Sequence, residues 1–332
     1  VLREIFSHDN RPFSSALTER GFEVIANSHS NYSQTSLSLA SSMNFRYLDE
    51  MPAQMGLDSE DRQPLGELIR QSRLRQILET HGYQTVSIAS GYNQTEFQDA
   101  DIYLRASGDR FSEFEIILLQ TTWPGSYFGT QLNFEAKRQQ VEFTFETLRE
   151  IAPAIDGPKF VFAHLIAPHV PNVFGPNGER VLPNDYPIDE VLANGDAPMN
   201  LYLKAYTDEL TYLNTQLLAV VDAILAQSEQ QPIIIIQGDH GSRAFLDSGS
   251  AERTCMRERL SIYNAILAPP EIKQQLYANM TPINSYPLIL NHLFDADIPL
   301  QPDQSYFSSW QRPYDYIPIS EAELTAACPA SR

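Results

Sequence analysis

Hydrophobic positions along the chain follow two patterns, the close spacing of helices and the short apolar runs of strands. The helical spacing predicts helices over residues 1–20, 64–80, 135–151 and 202–227. Strand-sized runs occur at 21–26, 83–89, 113–119, 159–165 and 233–236. Because strands and helices alternate, the pattern predicts a layered α/β fold around a mainly parallel sheet. Residues after 268 are richer in proline and aromatic side chains, and we expect them to form a smaller lobe.

The most informative segment is the apolar run Ile233–Ile236 followed by Gly238-Asp-His-Gly241. Four β-branched residues in a row predict a strand buried on both faces, as in a parallel sheet. Open α/β sheets bind ligands beyond the carboxyl ends of their strands. Asp239 and His240 would supply one oxygen and one nitrogen ligand there, which suits a divalent metal such as Zn or Mn. The alternative is a simple turn with a capping aspartate and an exposed histidine.

Two histidines mark a second strand end. His164 closes the apolar run at 159–165, and His169 follows in a loop braced by Pro168 and Pro171. Proline-flanked loops hold a side chain in a defined position at little entropic cost. Two histidines this close together favour a functional site, although a hydrogen-bonded structural role fits them equally well.

A polar segment, Ser33-Gln-Thr-Ser36, precedes an apolar helical pattern. Exposed backbone N–H groups and the positive end of the helix dipole lie at such a helix start, where they favour an anion or an alkoxide. Thr35 could therefore be a reactive hydroxyl. Serine and threonine are also common helix caps, which is the alternative interpretation.

Composition limits the partners of such a site. The 332 residues include 42 acidic and 23 basic side chains, giving a formal charge of −19, which repels nucleic acid and anionic lipid head groups. An anionic substrate would need a local positive element such as a metal ion. The sequence contains no apolar run near the roughly 20 residues of a membrane helix. The two cysteines, Cys255 and Cys328, could form one disulfide or stay as free thiols.

Taken in order, these segments resemble the alkaline phosphatase/sulfatase superfamily. The likeness is closest to its bacterial membrane-anchored sulfatase-like phosphotransferases, the phosphoethanolamine and lipoteichoic-acid phosphoglycerol transferase group. The matching stretches run in the family's order over essentially the whole chain: Gly21-Phe22 with Asn31–Ser41, Phe162–Pro171, Tyr206–Asn214, Gly238–Gly241 and Arg257–Ala265. The resemblance implies a three-layer αβα sandwich with a mainly parallel central sheet. It also implies a catalytic core over residues 1–268 and a C-terminal lobe over 269–332.

The resemblance assigns roles to five positions. Thr35 matches the nucleophile that becomes covalently modified. Asp239 and His240 match ligands of one divalent ion, Zn, Mn or Mg, which Thr35 also contacts. His169 matches a histidine that binds substrate or transfers a proton, and His164 matches a strand-end histidine on the substrate side.

The implied reaction is metal-dependent transfer or hydrolysis of a phospho-ester group through a phospho-threonine. The donor could be linked to a lipid or a glycan, and no partner protein is predicted. By resemblance only, the domain would follow upstream membrane helices and face the periplasm or the outer side of the inner membrane.

Two departures from the family pattern matter. The sulfatase motif, Cys or Ser followed by x-Pro-x-Arg, is absent because Thr35 precedes Ser-Leu-Ser, and this favours a phosphate over a sulfate ester. The family's first strand ends in an acidic metal ligand, and we expect that strand to lie upstream of Val1. The alternatives are a phosphatase or phosphodiesterase, a sulfuric ester hydrolase, and a non-catalytic binding module that has lost its metal.

Overall fold

The computed structural model describes residues 1–106, 123–182, 185 and 199–329, without the side chains of residues 123–130. The chain divides into two compact units. The first unit contains Val1, Asp9–His81 and Gln230–Arg332, and the second contains Leu2–His8 and Gly82–Glu229. The strand predicted at 113–119 lies outside the described residues, as does most of 183–198. The division predicted between residues 268 and 269 stays a prediction.

The first unit carries an antiparallel three-stranded sheet. Its helices and strands are α2 (Arg11–Glu19), β1 (Glu23–Val24), α3 (Thr35–Asn44), α4 (Met51–Met55), α5 (Gln63–Arg70), α6 (Arg73–Thr80), β5 (Ile234–Gln237), α9 (Met256–Leu260), β6 (Asn264–Leu267), α10 (Pro270–Lys273), α11 (Pro282–Phe294), β7 (Ser305–Phe307), β8 (Ile317–Ile319) and α12 (Glu321–Thr325). The strand order is β1-β6-β5, and a separate hairpin-like pair joins β7 to β8. Buried apolar residues around Ile266, Ile272 and Leu288 form its core.

The second unit carries a parallel sheet. Its elements are α1 (Leu2–Ile5), β2 (Gln84–Ile88), β3 (Ile102–Leu104), α7 (Trp123–Ala154), β4 (Lys159–Ala163) and α8 (Met199–Gln227). The strand order is β3-β2-β4, with both pairs parallel. The long helices α7 and α8 bury Phe145, Leu213 and Val220 together with Phe174. This parallel sheet with its helices confirms the predicted α/β class.

The predicted environment of the Ile233–Ile236 run was wrong in direction and in burial. β5 pairs antiparallel with β6, where Ile235 faces Ile266, and every residue of β5 is partly exposed. Between the two strands the described chain forms only the five-residue helix α9. Parallel pairing usually needs a helix that crosses the sheet, whereas α9 is the only helix between β5 and β6 among the described residues, and the chain returns antiparallel.

Two predicted helices are each interrupted. The helix expected over residues 1–20 is divided into α1 and α2, because Ser7 has a left-handed φ of 51° and Pro12 lies at the start of α2. The helix expected over residues 64–80 is divided into α5 and α6 at Gln71-Ser72. Within the part of the chain that the structure describes, no helix is both long and apolar enough to cross a membrane.

Candidate active site

Thr35 is the first residue of α3, and its hydroxyl is not used to cap that helix. The cap position belongs to Gln34, whose backbone is extended and whose side chain makes no capping hydrogen bond. The hydroxyl oxygen of Thr35 lies 3.1 Å from Nε2 of His240, 205 positions later in the chain. The structure therefore brings together the hydroxyl and the imidazole that the sequence singled out separately.

The imidazole of His240 is held in one tautomer. Its Nδ1 lies 2.9 Å from the carbonyl oxygen of Gly241. A carbonyl oxygen only accepts, so Nδ1 carries a proton, and in the neutral form of the ring the lone pair is at Nε2. Oδ2 of Asp239 lies 3.3 Å from the same Nε2. With side-chain exposures of 14% for His240 and 21% for Asp239, the pair is sheltered but still within reach of a ligand.

The donor atoms of Thr35 and Asp239 both lie near Nε2 of His240, at separations that can be compared with those between ligands of one metal ion. Ligands of one tetrahedral zinc ion, at about 2.0–2.1 Å each, lie about 3.3 Å from one another. The two separations from Nε2 of His240, 3.1 Å to the Thr35 hydroxyl oxygen and 3.3 Å to Oδ2 of Asp239, agree with that spacing. Among the described residues, no three His, Cys, Asp or Glu side chains come together as a metal-binding group. The third donor of this set is a hydroxyl.

The turn that carries His240 requires a glycine at position 241. A Cβ on Gly241 would lie 2.0 Å from the carbonyl oxygen of Glu258 and 2.8 Å from that of Ser261. The Gly241 N–H also donates to the Arg259 carbonyl oxygen at 2.7 Å. A Cβ on Gly238, by contrast, would meet its nearest atom at an ordinary 3.4 Å. The close approach of α9 to this turn therefore explains the second glycine of the motif.

Arg259 joins the segment before Thr35 to the turn around His240. Its guanidinium is buried and donates to the carbonyl oxygen of Ser33 through Nε (2.9 Å) and Nη2 (2.5 Å). Through Nη1 it donates to the carbonyl oxygen of Gly241 at 2.9 Å. Sequence reasoning had placed Arg259 in a family-like stretch without giving it a role.

Glu258, next to Arg259 on α9, holds the loop that follows the turn. Its buried carboxylate accepts from the backbone N–H groups of Ala244 (2.6 Å) and Phe245 (2.8 Å) and from the hydroxyl of Ser242. Burial raises the pKa of Glu258, and these hydrogen bonds act in the opposite direction. Sequence reasoning had not identified this residue as part of the site.

A disulfide fixes the start of α9. Cys255, the residue that caps this helix, is bonded to Cys328 across a sequence separation of 73, with a Cα–Cα distance of 5.3 Å. Of the two possibilities left open by the sequence, the structure has the disulfide. It ties the C-terminal tail to the helix that supplies Glu258 and Arg259.

His164 and His169 belong to the second unit. Nδ1 of His164 lies 2.8 Å from the hydroxyl of Thr95, in the short 3₁₀ helix Asn93–Thr95. Nδ1 of His169 lies 2.6 Å from the carbonyl oxygen of Val170, so this nitrogen also carries the proton. The rings of His164 and His169 are therefore oriented by residues of the second unit, and the ring of His240 is oriented by a residue of the first unit.

Comparison with known proteins identifies the family. A sequence model of the sulfatase family matches residues 6–295, and the chain belongs to this family. No curated protein sequence matches it.

Solved structures share the fold at low sequence identity. The C-terminal periplasmic domain of EcEptC from Escherichia coli, in complex with Zn, matches with a TM-score of 0.59 and 14% identity, covering 96% of this chain and 88% of that one. The integral membrane lipooligosaccharide phosphoethanolamine transferase A of Neisseria meningitidis matches with a TM-score of 0.54 and 12% identity, covering 86% and 51%. A 2-O GAG sulfatase matches with a TM-score of 0.51 and 12% identity, covering 86% and 65%. These matches show that the chain has the alkaline-phosphatase-like fold.

Proposed function

We propose that this sulfatase-family domain transfers or hydrolyses a phospho-ester group through a covalent phospho-threonine at Thr35. The observation that carries the proposal is the 3.1 Å approach of the Thr35 hydroxyl to Nε2 of His240, with the Asp239 carboxylate 3.3 Å from the same nitrogen. Two ligand-type side chains beside a helix-start hydroxyl are the arrangement that an activated oxygen nucleophile needs. The absence of the x-Pro-x-Arg pattern after Thr35 supports a phosphate rather than a sulfate ester.

The proposed chemistry has two displacements at phosphorus. In the first, the hydroxyl of Thr35 loses its proton, the Oγ1–P bond forms, and the bond from phosphorus to the donor's oxygen breaks. The leaving oxygen takes up a proton. In the second displacement, an acceptor alcohol or water loses a proton and bonds to phosphorus, and the Oγ1–P bond breaks to restore the threonine.

Thr35, Asp239 and His240 would hold the divalent ion that the family resemblance implies. When bound, such an ion lowers the pKa of a nearby hydroxyl and neutralises charge on the transferred group. The Nδ1–H of His240, donated to the Gly241 carbonyl oxygen, would keep its Nε2 turned toward the ion. A local cation also suits a chain with a formal charge of −19, because the substrate is an anion.

His169 and His164 are the proposed substrate-side residues. With its Nδ1–H donated to the Val170 carbonyl oxygen, His169 can use Nε2 to bind a phosphoryl oxygen or to pass a proton to the leaving oxygen. His164 is oriented by the Thr95 hydroxyl and would bind substrate beside it.

We further propose that the domain works outside the cytoplasm on a donor linked to a lipid or a glycan. The Cys255–Cys328 disulfide supports an oxidising compartment. The Escherichia coli match is a periplasmic domain, and the Neisseria meningitidis match is an integral membrane transferase. An anchor in upstream membrane helices would fit both.

The first test compares Thr35→Ala, Thr35→Ser and the control Thr18→Ala, which changes an exposed threonine of α2. Bis-p-nitrophenyl phosphate and p-nitrophenyl sulfate serve as substrates, with and without an added alcohol. We expect phosphodiesterase activity in the wild type and in the control, no turnover in Thr35→Ala, and partial activity in Thr35→Ser. Intact-mass and peptide mass spectrometry of quenched reactions should find the phosphorylated residue at position 35.

Each alternative gives a different result in this test. Full activity of Thr35→Ala, or an adduct at another residue, would reject Thr35 as the nucleophile. Activity on the sulfate alone would support the sulfuric ester hydrolase. Release of the group to water with and without alcohol would support the phosphatase, whereas no adduct and no turnover in a folded, metal-free protein would support the binding module.

A second test concerns metal retention and does not need turnover. Asp239→Asn removes an anionic ligand. After variant and wild type have been dialysed against the same zinc, manganese or magnesium solution, we expect the variant to contain far less bound metal. Asp247→Asn, which changes a carboxylate paired with the exposed Arg253, is the matched control. Equal metal content in the Asp239 variant and the wild type would show that Asp239 is not a ligand.

A further inference from the structure

The backbone around His169 is held from one side by a lysine. Lys137, on α7, donates from Nζ to the carbonyl oxygens of His169 and, at 2.9 Å, of Pro171. A lysine in a helix usually extends into water, whereas this one is partly buried and turned onto a loop. Burial lowers the pKa of Lys137 to about 8, and nearby Glu209 opposes that shift.

The next residues of the same loop are held by a carboxylate. Glu209, on α8, is completely buried and accepts from Nδ2 of Asn172 at 2.7 Å and from the backbone N–H of Val173 at 2.9 Å. Burial raises its pKa, and nearby Lys137 is the largest opposing influence. A buried carboxylate is unfavourable unless donors surround it, and consecutive residues of this loop supply them here.

The two charges match the polarity of the backbone that each one contacts. The positive group binds carbonyl oxygens on the His169 side of the loop, and the negative group binds N–H donors just beyond it. Removing the carboxylate would leave the buried N–H of Val173 without its acceptor, and removing the ammonium would leave the His169 and Pro171 carbonyl oxygens without their shared donor; each loss favours a shift of the loop. We call Lys137 and Glu209 the loop clamp.

We propose that the loop clamp positions His169, so that Lys137 and Glu209 are positioning residues for the transfer reaction. The inference rests on the proposed function, in which Nε2 of His169 binds or protonates the substrate. His169 already fixes its own ring through the Val170 carbonyl oxygen. The clamp sets where the backbone bearing that ring lies, which the ring's own hydrogen bond cannot do.

The test uses Lys137→Met and Glu209→Gln, with Lys204→Met as the control. Methionine keeps the length of the lysine stem but donates to neither carbonyl. The glutamine amide must point its NH₂ group at one of two donors, so one hydrogen bond to the loop is lost. Lys204 lies on α8 with an exposed side chain paired to Asp208, and its loss should leave kcat unchanged.

Bis-p-nitrophenyl phosphate is used to separate positioning from a purely structural role. We expect each clamp variant to lower kcat about tenfold or more with little change in KM, because small displacements of a catalytic group are costly. In a His169→Ala background the same changes should have little further effect, since the group they position is gone. Independent, multiplying losses in that background would overturn the proposal.

Amide hydrogen exchange gives a readout that does not depend on activity. Lys137→Met and Glu209→Gln should speed exchange at Val173 relative to Val161 in β4. Unchanged exchange at Val173 would overturn the clamp whatever the kinetics show. A wild-type kcat in His169→Ala would overturn the positioning role. Mass spectrometry would show separately whether Thr35 is phosphorylated, and therefore whether the proposed function had also failed.

Discussion

Replacing Arg259 with methionine should separate the two segments that bring Thr35 and His240 together. Methionine keeps much of the apolar stem and removes the guanidinium. The carbonyl oxygens of Ser33 and Gly241 then lose donors that now lie 2.5–2.9 Å away. Because Arg259 is only 8% exposed, water cannot readily replace those donors.

The size of the effect follows mainly from the Ser33 carbonyl oxygen, because the Gly241 carbonyl oxygen still accepts from Nδ1 of His240. A buried acceptor left without a partner costs about 1–3 kcal/mol, so we expect the free energy of unfolding to fall by about 1–3 kcal/mol. Ser33 is two residues from Thr35 and Gly241 is adjacent to His240, so both sides of the site should shift. A displacement of about 1 Å at a reacting group can lower kcat about 100-fold.

Urea unfolding followed by circular dichroism measures the stability change, and phosphodiester hydrolysis at a temperature where the variant is folded measures kcat. Arg259→Lys should fall between the wild type and Arg259→Met, because an ammonium lacks the planar fork that reaches both carbonyl oxygens. Arg253→Met removes an arginine that is 70% exposed and should unfold like the wild type. The reasoning is refuted if Arg259→Met unfolds within about 0.5 kcal/mol of the wild type and keeps its kcat.

Two further predictions concern the turn and the helix that supports it. Gly241→Ala should lower the free energy of unfolding by more than about 3 kcal/mol or prevent folding, because its Cβ would lie 2.0 Å from the Glu258 carbonyl oxygen. The control Gly238→Ala should lower it far less. Equal losses of stability for the two variants in urea unfolding would contradict this reasoning. Replacing Cys255 and Cys328 with serine should lower stability by about 4 kcal/mol, as expected for a 73-residue separation, and a melting temperature unaffected by reductant in the wild type would contradict it.

The features that the sequence predicted well are local ones. The Gly238–Gly241 motif directly follows the apolar run of β5. The change from apolar residues to glycine and polar residues therefore predicts where this strand ends. The start of α3 at Thr35 likewise follows from a polar segment before an apolar pattern. Local patterns of this kind identified Thr35, Asp239 and His240 as candidates, and their roles stay predictions.

The features that the sequence missed depend on partners far away in the chain. The direction of β5 is set by β6, which no pattern within Ile233–Ile236 reveals. The role of Arg259 is to contact Ser33, 226 positions earlier. The break at Ser7 was missed because a single left-handed residue leaves the helical spacing on either side intact.

The orientation of His240 and His169 and the placement of the Thr35 hydroxyl have different origins. His240 and His169 each donate Nδ1–H to the carbonyl oxygen of the following residue, so the tautomer depends on local backbone and not on any distant side chain. The approach of Thr35 to His240 instead depends on the long-range contacts of Arg259. Changes away from the site should therefore act mainly on the distance between hydroxyl and imidazole. The tautomer of each histidine should stay the same.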